Sequence, residues 1–480
     1  MTKNNDATPQ AAHVLRTHAF SADALADHDA VALINLLKKG DVSAAELSAA
    51  AIKRAQQVNP QLHAIQLDYF AAGGQPAAPQ YRDAPFAGIP TFIKDNLDVT
   101  GSPTQLGSSA FTAKVAKAHD PYTQQFLAQG FTLLGKTRMP EFGLDGSTEF
   151  KGSEPTHNPW HLDHTVGGSS GGAAALVAAG VVPIAHGNDG GGSIRIPAAC
   201  CGLIGLKPTR GRHIKSTAAR MLPLNIISDG VLTRSVRDTA YFHAAMERTY
   251  HNPKLKPIGL VEGPSRHRLR IAVAYDSLIH SSDVETHAAV RAVAEQLAAA
   301  GHHVSEIQLP IKPQFADDFT LYWGMLAFMM TKSAGLLATG AVDRQRFDNL
   351  TLGLSAHYRR DYKKTLGALY RLHQSVRDYS AMFLHYDVLL NPVVGTTPPQ
   401  LGHLSPAQPF EIVFDHLQRF ACFTPFNNTS GGPAISVPAG ISHDGLPIGC
   451  QLAANHGEER VLLELAYELE QLMPWRKINL

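Results

Sequence analysis

The chain has 480 residues, with 42 basic and 41 acidic side chains and a formal charge of +1. This balance gives no electrostatic footprint for a polyanion, and no local basic patch is present that would bind nucleic acid. The hydrophobic fraction of 44% is near the globular average, which argues against extensive disorder.

The ends and the cysteines of the chain indicate where it acts. The first twenty residues are polar, contain Pro9 and lack the apolar run of a signal peptide. The least charged stretch, residues 173–185, is too short for a bilayer, which takes about 20 apolar residues. The four cysteines form no CxxC pair, which fits a reducing compartment. We therefore predict a soluble, cytoplasmic protein.

The first clear element is a helix. Ser43 followed by Glu46 is a capping box, which predicts a helix over residues 43–58 that is closed by Asn59-Pro60. The next is an apolar, strand-like run, FAGIPTFIKDNLDVTG at residues 86–101, which carries Lys94. A lysine on such a run usually keeps its amine in water. If buried, it would have a pKa well below the reference of about 10.4 and could act as a base at neutral pH.

Glycines then cluster in two places, GGSSGG at residues 167–172 and GGGS at residues 190–193. Glycine lets backbone N–H groups approach a ligand closely, and successive N–H groups in a turn form an anion-binding concavity. A serine at the end of such a turn is placed to attack a carbonyl whose oxygen those groups stabilise. For one cluster alone, a tight turn with an exposed serine is the more common explanation.

The second half of the chain predicts an α/β pattern. Residues 269–275 predict a strand, residues 284–300 a helix stopped by Gly301, and residues 302–309 another strand. A strand, a helix and a strand in this order make a crossover and hence a parallel pair. A last helix is predicted over residues 458–472.

Four blocks together resemble the amidase signature family. They are the run with Lys94, the glycine-rich stretch that contains both clusters, GLIGLKPTRG at residues 202–211 and FNNTSGGPAISVPAGISHDGLPIG at residues 426–449. The resemblance implies an α/β fold with a mixed β-sheet covered by helices on both faces, forming one domain over residues 1–480. Its well-matched core is residues 86–240 and 387–472, and residues 253–386, which match only in general pattern, are the variable substrate side.

The family hydrolyses amides with a Ser-cisSer-Lys triad, and the resemblance carries these roles to particular residues. Ser193 matches the nucleophile, and Ser169, 24 residues earlier, matches the bridging serine on a cis peptide after Gly168. Lys94 matches the base. The implied oxyanion hole consists of the backbone N–H groups of Gly190, Gly191, Gly192 and Ser193. The implied structural ion pair beside it is formed by the side chains of Asp189 and Arg195. Many members carry a side chain at the position of Gly190, but the donor there is backbone.

The function that this resemblance implies is hydrolysis of a carboxamide or lactam C–N bond through an acyl-enzyme on Ser193. It implies no metal and no organic cofactor. The expected partner is a small amide, without nucleic acid or membrane, and a homodimer is compatible with the sequence.

Two other interpretations concern the glycine clusters. Residues 168–172 match G-x-S-x-G, the nucleophile elbow of α/β-hydrolases, with Ser170 attacking; the segment before them, NPWHLDHTV, indicates a loop rather than the required strand. A glycine-lined phosphate or nucleotide site is the alternative of another class. The sequence lacks GxxxxGK[ST], and the nearest lysine after Ser193 is Lys207.

Histidines suggest two further sites. His157, His161, Asp163 and His164 lie close in sequence and could bind zinc, but Pro159 prevents a helix from aligning them, so solvated loop histidines are favoured. His186 and Asp189 near Ser193 suggest a Ser-His-Asp triad. Such triads gather from distant segments, and we reject this one.

Within the family, the main rival is the glutamine-hydrolysing subunit of the tRNA-dependent amidotransferase. That branch carries a KRRIxxGxxxLS-like segment and an aspartate before its N-x-x-G-x-P block. Here the first segment is absent and Ala421 occupies the acidic position, which favours a stand-alone amidase. The HGND sequence at residues 186–189 and the PWRK ending resemble instead the branch of the 6-aminohexanoate cyclic dimer hydrolases.

Substrate choice is expected in the weakly matched middle of the chain. That region contains an aromatic and Met-rich segment made of Phe315, Phe319, Tyr322, Trp323, Met325, Phe328 and Met329. Such a stripe is more often helix core than pocket wall. As a pocket wall, it would suit amides with aliphatic or aromatic acyl parts.

Overall fold

A computed structural model describes residues 15–479 of the chain. The interpretation of the N-terminus depends largely on residues 1–14, which lie outside the described residues. Between residues 15 and 479, none of the helices is long and apolar enough to cross a membrane.

The elements alternate between helices and short strands. The helices are α1 (Ala30–Lys39), α2 (Ala44–Leu62), α3 (Pro121–Leu127), α4 (Gly171–Ala178), α5 (Arg195–Cys201), α6 (Thr217–Met221), α7 (Val236–Thr249), α8 (Val284–Ala299), α9 (Gln314–Leu337), α10 (Asn349–Asp361), α11 (Thr365–Met382), α12 (Phe410–Phe420), α13 (Pro425–Ser430) and α14 (Glu459–Leu472). The strands are β1 (Ile65–Asp68), β2 (Pro90–Lys94), β3 (Thr132–Thr137), β4 (His157–Asn158), β5 (His161–Thr165), β6 (Ile184–Asp189), β7 (Ile204–Lys207), β8 (Ser228–Thr233), β9 (Arg270–Val273), β10 (His303–Glu306), β11 (Val388–Pro392), β12 (Ala434–Ile441) and β13 (Pro447–Ala454).

The main sheet is mixed and has the strand order β10-β9-β11-β13-β12-β7-β8-β6. The pairs β10/β9 and β11/β9 are parallel, and the remaining neighbours are antiparallel. A second sheet has the order β1-β3-β2. Its strand β2 lies beside β6, where the Thr91 hydroxyl donates to the Ile184 carbonyl oxygen at 2.9 Å.

Helices cover both faces of the main sheet. On one face, Ile204 and Leu206 of β7 share an apolar core with α7, α8 and α14. On the other face, Gly205 lies against Ala198 of α5, so close that a Cβ there would be 2.7 Å from the alanine methyl group. The predicted α/β fold, a mixed sheet with helices on both faces, is thus confirmed.

The helix predicted at residues 43–58 begins as expected and ends later. Ser43 Oγ accepts from the Glu46 N–H, and the Glu46 carboxylate accepts from the Ser43 N–H, which completes the capping box. The helix then runs through Pro60 to Leu62. It ends there because His63 takes a left-handed conformation and the Asn59 side chain accepts from the Ala64 N–H at 2.8 Å.

The predicted crossover is also present. Strand β9, helix α8 and strand β10 follow in order, and β9 and β10 pair in parallel. The two strands are shorter than predicted, four residues each. Gly301 has a positive φ of 96° and turns the chain from the helix into the second strand.

The segment NPWHLDHTV is not a loop, contrary to the sequence interpretation. It forms the antiparallel pair β4 and β5, in which His157 lies opposite Thr165. The pair is held by the Asn158 side chain, which donates to the carbonyl oxygens of Thr165 and Cys200. Short polar strands of this kind lack the apolar alternation that predicts a strand.

Candidate active site

Lys94 is the last residue of β2, and all five residues of that strand are buried. Its backbone N–H donates to Nδ1 of His186 on β6 at 3.2 Å, which joins the two strands at this point. The lysine side chain has no exposed surface. The strand therefore carries a basic group into the interior. The sequence alone did not determine whether this lysine is buried or exposed.

The Nζ atom of Lys94 has three polar neighbours. It lies 2.7 Å from Ser169 Oγ, 3.0 Å from Ser170 Oγ and 2.6 Å from Asn188 Oδ1. Burial lowers the pKa of Lys94 to about 7, against the opposing attraction of Asp189 and Asp229. A substantial fraction of this lysine is therefore a neutral amine at neutral pH.

The partners of Nζ decide where a neutral amine directs its lone pair. Asn188 Oδ1 can only accept a hydrogen bond. Ser170 Oγ donates its own hydrogen to the Asn188 carbonyl oxygen at 3.2 Å, so towards Nζ it is an acceptor. These two oxygens use both N–H bonds of the neutral amine. The lone pair is left for Ser169, whose hydroxyl can donate to it.

Ser169 and Ser170 precede α4, in the first glycine cluster. The peptide between Gly168 and Ser169 is cis, as the resemblance implied. Ser169 lines a cavity, whereas Ser170 is fully buried and is absent from the cavity wall. This difference disfavours Ser170 as the nucleophile of an elbow, because a substrate in the cavity would meet Ser169 first.

Ser193 lies on the loop between β6 and α5 and lines the same cavity as Ser169. The two serine segments are joined by a backbone hydrogen bond from Ser170 N–H to the Ser193 carbonyl oxygen, at 3.3 Å. Among residues 15–479, the Ser193 hydroxyl forms no hydrogen bond. Catalytic hydrogen bonds are often long or misaligned without substrate and tighten when it binds.

The loop that carries Ser193 is built around a buried ion pair. The Arg195 guanidinium donates two hydrogen bonds to the Asp189 carboxylate, both at 2.9 Å, and neither side chain is exposed. Burial would raise the pKa of Asp189, but the charge and hydrogen bonds of Arg195 hold that pKa well below its usual range. Arg195 also donates to Gln451 and Asn428, which ties the loop to β13 and α13.

The backbone donors of this loop differ from the expectation at one position. The Gly192 N–H donates to Asp189 Oδ1 at 2.8 Å, so the carboxylate that shapes the loop already uses this donor. In the described part of the chain, the N–H groups of Gly190, Gly191 and Ser193 have no such partner. The Thr424 hydroxyl donates to the Gly191 carbonyl oxygen at 2.5 Å and fixes that peptide. Three of the four expected donors are therefore available to an oxyanion.

Glycine is required at one position of this loop and not at another. Gly192 has a φ of 134°, and a Cβ there would lie 2.3 Å from Thr424 Oγ1. At Gly190 the nearest atom to an added Cβ would be Ile227 Cγ1 at 3.8 Å, an ordinary contact. A Cβ at this position would thus fit without displacing a neighbour.

The cavity beside Ser169 and Ser193 has a volume of about 300 Å³. Most of its lining is apolar, and α9 contributes several residues, including Phe319 and Trp323. Asp145 is the acidic residue of the wall, and the described wall has no basic one. Burial raises the pKa of Asp145 well above its usual range, because a buried carboxylate loses its hydration. A phosphate or nucleotide would find no cation here, so the alternative of an anion-binding protein has no support.

The aromatic segment of α9 is divided between core and cavity. Tyr322 and Met325 belong to a buried apolar cluster, and the Tyr322 hydroxyl donates to the Leu224 carbonyl oxygen. Phe319 and Trp323, together with Phe315 and Met329, line the cavity. Ala421, at the position where the amidotransferase branch carries an acid, also lies in this wall.

The histidines have local roles. The ring of His161 packs edge-on against that of His164, and His157 Nδ1 lies 2.6 Å from the Leu162 carbonyl oxygen. No group of three or more metal-binding side chains occurs among the described residues. His186 contacts the Lys94 backbone and lies 3.5 Å from Asp229, so it has no geometry for a Ser-His-Asp triad.

Sequence reasoning gave no role in this site to Asn188 or Thr424. Asn188 had a signal, because it lies in the HGND sequence that sets one branch of the family apart. Thr424 had none, because it contacts Gly191 across 233 positions of the chain.

Comparisons with known proteins identify the family of the chain. The sequence profile of the Amidase family matches residues 46–463. A protein of Mycobacterium leprae named "Putative amidase AmiC" is 46% identical over 466 residues, which is 97% of this chain and 99% of that protein. The 6-aminohexanoate-cyclic-dimer hydrolase of Paenarthrobacter ureafaciens is 33% identical and covers 93% of this chain and 95% of its own length. A solved structure of 6-aminohexanoate cyclic dimer hydrolase with substrate superposes with a TM-score of 0.80 at 30% identity, over 95% and 98% of the two chains.

Proposed function

The chain belongs to the Amidase family of hydrolases that act on amide C–N bonds, and on that premise we propose that Ser193, Ser169 and Lys94 form its catalytic triad. The observation that carries the proposal is the buried Nζ of Lys94, 2.7 Å from Ser169 Oγ and with its other hydrogen bonds directed elsewhere. A serine hydroxyl is a weak nucleophile and needs an adjacent base.

The proposed reaction begins with two coupled proton transfers. Neutral Lys94 accepts the proton of the Ser169 hydroxyl, and Ser169 accepts the proton of the Ser193 hydroxyl through a contact that forms as substrate binds. Ser193 Oγ forms a bond to the carbonyl carbon, and the carbonyl oxygen becomes an oxyanion. When the tetrahedral intermediate collapses, the C–N bond breaks, Ser169 delivers a proton to the departing nitrogen, and Lys94 returns its proton to Ser169.

Deacylation repeats these transfers with water as the nucleophile. Water gives its proton through Ser169 to Lys94, adds to the acyl carbon, and the bond to Ser193 Oγ breaks as that oxygen regains a proton. One amide and one water thus become a carboxylic acid and an amine, and the enzyme returns to its starting protonation state. A lactam would give both products on one molecule.

The loop after β6 stabilises the oxyanion in this proposal. The available N–H groups of Gly190, Gly191 and Ser193 are its donors, held in place by Asp189, Arg195 and Thr424. Removing one such donor typically lowers the rate by about 10²–10³. Asp189 and Arg195 support the loop and do not touch the substrate.

The cavity bears on the choice between a stand-alone amidase and a glutamine-hydrolysing subunit. Free glutamine carries an ammonium and a carboxylate, and burying either without a partner is costly. The wall offers no basic side chain among the described residues and one acid, Asp145, whose pKa burial raises well above its usual range. This supports a stand-alone amidase acting on an uncharged carboxamide or lactam, and the kinship with a cyclic dimer hydrolase supports including lactams among the candidates.

Alanine substitution tests the proposal. Ser193→Ala, Ser169→Ala and Lys94→Ala should each lower hydrolysis of amides, lactams and aryl anilides by at least about 10³, because nucleophile and base act as one unit. Circular dichroism and the thermal midpoint control for folding. Retention of activity within tenfold of wild type by all three variants would refute the triad.

A further inference from the structure

Helix α9 contributes part of the wall of the cavity that Ser193 lines. Phe315, Phe319 and Trp323 are spaced four residues apart and therefore lie on the same side of the helix. Phe315 and Phe319 stack with ring centroids 6.1 Å apart. Both rings also pack against the buried cluster that contains Tyr322 and Met325. The rings are therefore supported by the core and also line the cavity.

Phe319 comes close to the loop of the nucleophile. A Cβ built on Gly191 would lie 3.6 Å from Phe319 Cζ, so the ring is beside a proposed oxyanion donor. At Ser169, a Cβ on Gly143 would lie 3.2 Å from the hydroxyl oxygen. Ser169 is the group that would deliver the proton to the leaving nitrogen. In the proposed mechanism the leaving nitrogen therefore faces Ser169, and the proposal below assigns the acyl part to the side of Phe319 and Trp323.

The charge of the cavity complements its shape. Asp145 and Cys422 are the titratable side chains in its wall, apart from the hydroxyl groups. Burial raises the pKa of Asp145 well above its usual range, and burial raises the pKa of the Cys422 thiol to about 11. Burial thus disfavours the charged forms of both groups, and the described wall holds no basic side chain, so a charged acyl group would be buried without a counter-ion.

We propose that the face of α9 formed by Phe315, Phe319 and Trp323 is an acyl-binding site for a bulky, uncharged, apolar group, either an aromatic ring or an aliphatic chain of several carbons. The proposal rests on the acyl-enzyme function proposed above and specifies its substrate class. A cavity of about 300 Å³ is at the lower end of the range for small-molecule sites. It would accommodate one such group with its amide.

A series of para-nitroanilides with one leaving group and varied acyl parts tests this site. The neutral members are acetyl, butyryl, hexanoyl and benzoyl anilides, and the charged members are succinyl and γ-glutamyl anilides. Each buried methylene group should raise kcat/KM about threefold to fourfold. Hexanoyl and benzoyl anilides should therefore exceed acetyl anilide by more than tenfold, and the charged members should fall at least 100-fold below hexanoyl anilide.

Substitutions in helix α9 test whether its side chains cause the preference for larger acyl groups. Phe319→Ala and Trp323→Ala should each reduce the hexanoyl-to-acetyl ratio of kcat/KM at least fivefold. Phe328→Ala is the matched control, because this ring is on the same helix but packs against Tyr358 and is not in the cavity wall. The ratio is measured on a single enzyme preparation, so partial unfolding of a variant does not change it.

The outcomes separate the two proposals. Hydrolysis that depends on Ser193 but has a flat or charge-preferring acyl profile would overturn the acyl site and leave the proposed function intact. The same is true if Phe328→Ala alters the ratio as much as Phe319→Ala does. If no anilide is hydrolysed in a Ser193-dependent way, the proposed function fails, and the acyl site fails with it.

Discussion

Asn188 Oδ1 lies 2.6 Å from Lys94 Nζ, the shortest of the three contacts of that nitrogen. Together with Ser170, this amide occupies the N–H bonds of the neutral lysine and turns its lone pair towards Ser169. Asn188 also lines the cavity. The residue therefore positions the base without taking part in proton transfer itself.

The first prediction concerns the pH dependence of the wild-type enzyme. Lys94 must be neutral to accept a proton, and burial lowers its pKa to about 7. Activity is therefore present above this pKa and is lost as the pH falls through it. A plot of log kcat/KM against pH for a neutral anilide should rise with unit slope and level off above about pH 7 to 8. An acid limb that is absent down to pH 5 would contradict a lysine base.

The second prediction concerns a variant with a changed charge next to Lys94. In Asn188→Asp, a carboxylate would lie in contact with Lys94 and raise its pKa by about 1–3 units. The acid limb of kcat/KM should move to higher pH by a similar amount, and activity at pH 7 should fall at least about fivefold and recover as the pH is raised.

Asn188→Leu is the companion variant for this experiment. It removes the acceptor without adding charge, so kcat should fall at every pH while the limb does not move upward. If Asn188→Asp lowers activity uniformly with pH, as Asn188→Leu is expected to do, then Asn188 does not act through Lys94.

The third prediction uses two glycines of the oxyanion loop. Gly192→Ala would place a methyl group 2.3 Å from Thr424 Oγ1, in a backbone conformation that alanine rarely adopts. The loop must shift, and kcat should fall at least 100-fold. Gly190→Ala has an ordinary contact of 3.8 Å and should stay within about fivefold of wild type. Equal losses in the two variants would mean that the loop is not fixed by Thr424.

The fourth prediction concerns stability. Arg195→Met leaves the Asp189 carboxylate buried without its partner, which typically costs about 3–5 kcal/mol. The midpoint of urea unfolding should fall clearly. Arg270→Met is the control, since Arg270 forms its ion pair with Asp387 at the surface, where such pairs contribute little. Similar midpoints for Arg195→Met and wild type would exclude a structural role for the ion pair.

Local signals in the sequence predicted much of the framework. The capping box of Ser43 and Glu46 gave the start of α2, and the order of strand, helix and strand gave the parallel pair β9/β10. Both depend on neighbouring residues. The end of α2 was wrong by four residues, because the Asn59 side chain and the left-handed His63, rather than Pro60, stop the helix.

The site was partly predictable for a related reason. The spacing of 24 residues between Ser169 and Ser193 is a feature of the sequence, and the structure brings both serines to one cavity. The hydrogen bond from the Gly192 N–H to Asp189 and the contact of Thr424 with Gly191 depend on tertiary packing. The same holds for α9, because the sequence identified an aromatic and Met-rich segment but could not tell which of its side chains lie in the core and which line the cavity.

Covalent labelling tests the central claim most directly. The protein is treated with a fluorophosphonate, digested at aspartates and analysed by tandem mass spectrometry, because cleavage before Asp189 separates Ser193, on peptide 189–228, from Ser169 and Ser170, on peptide 163–188. The account predicts one adduct, on Ser193, formed in parallel with loss of amide hydrolysis. An adduct on Ser170, or full loss of activity with Ser193 unmodified, would contradict it.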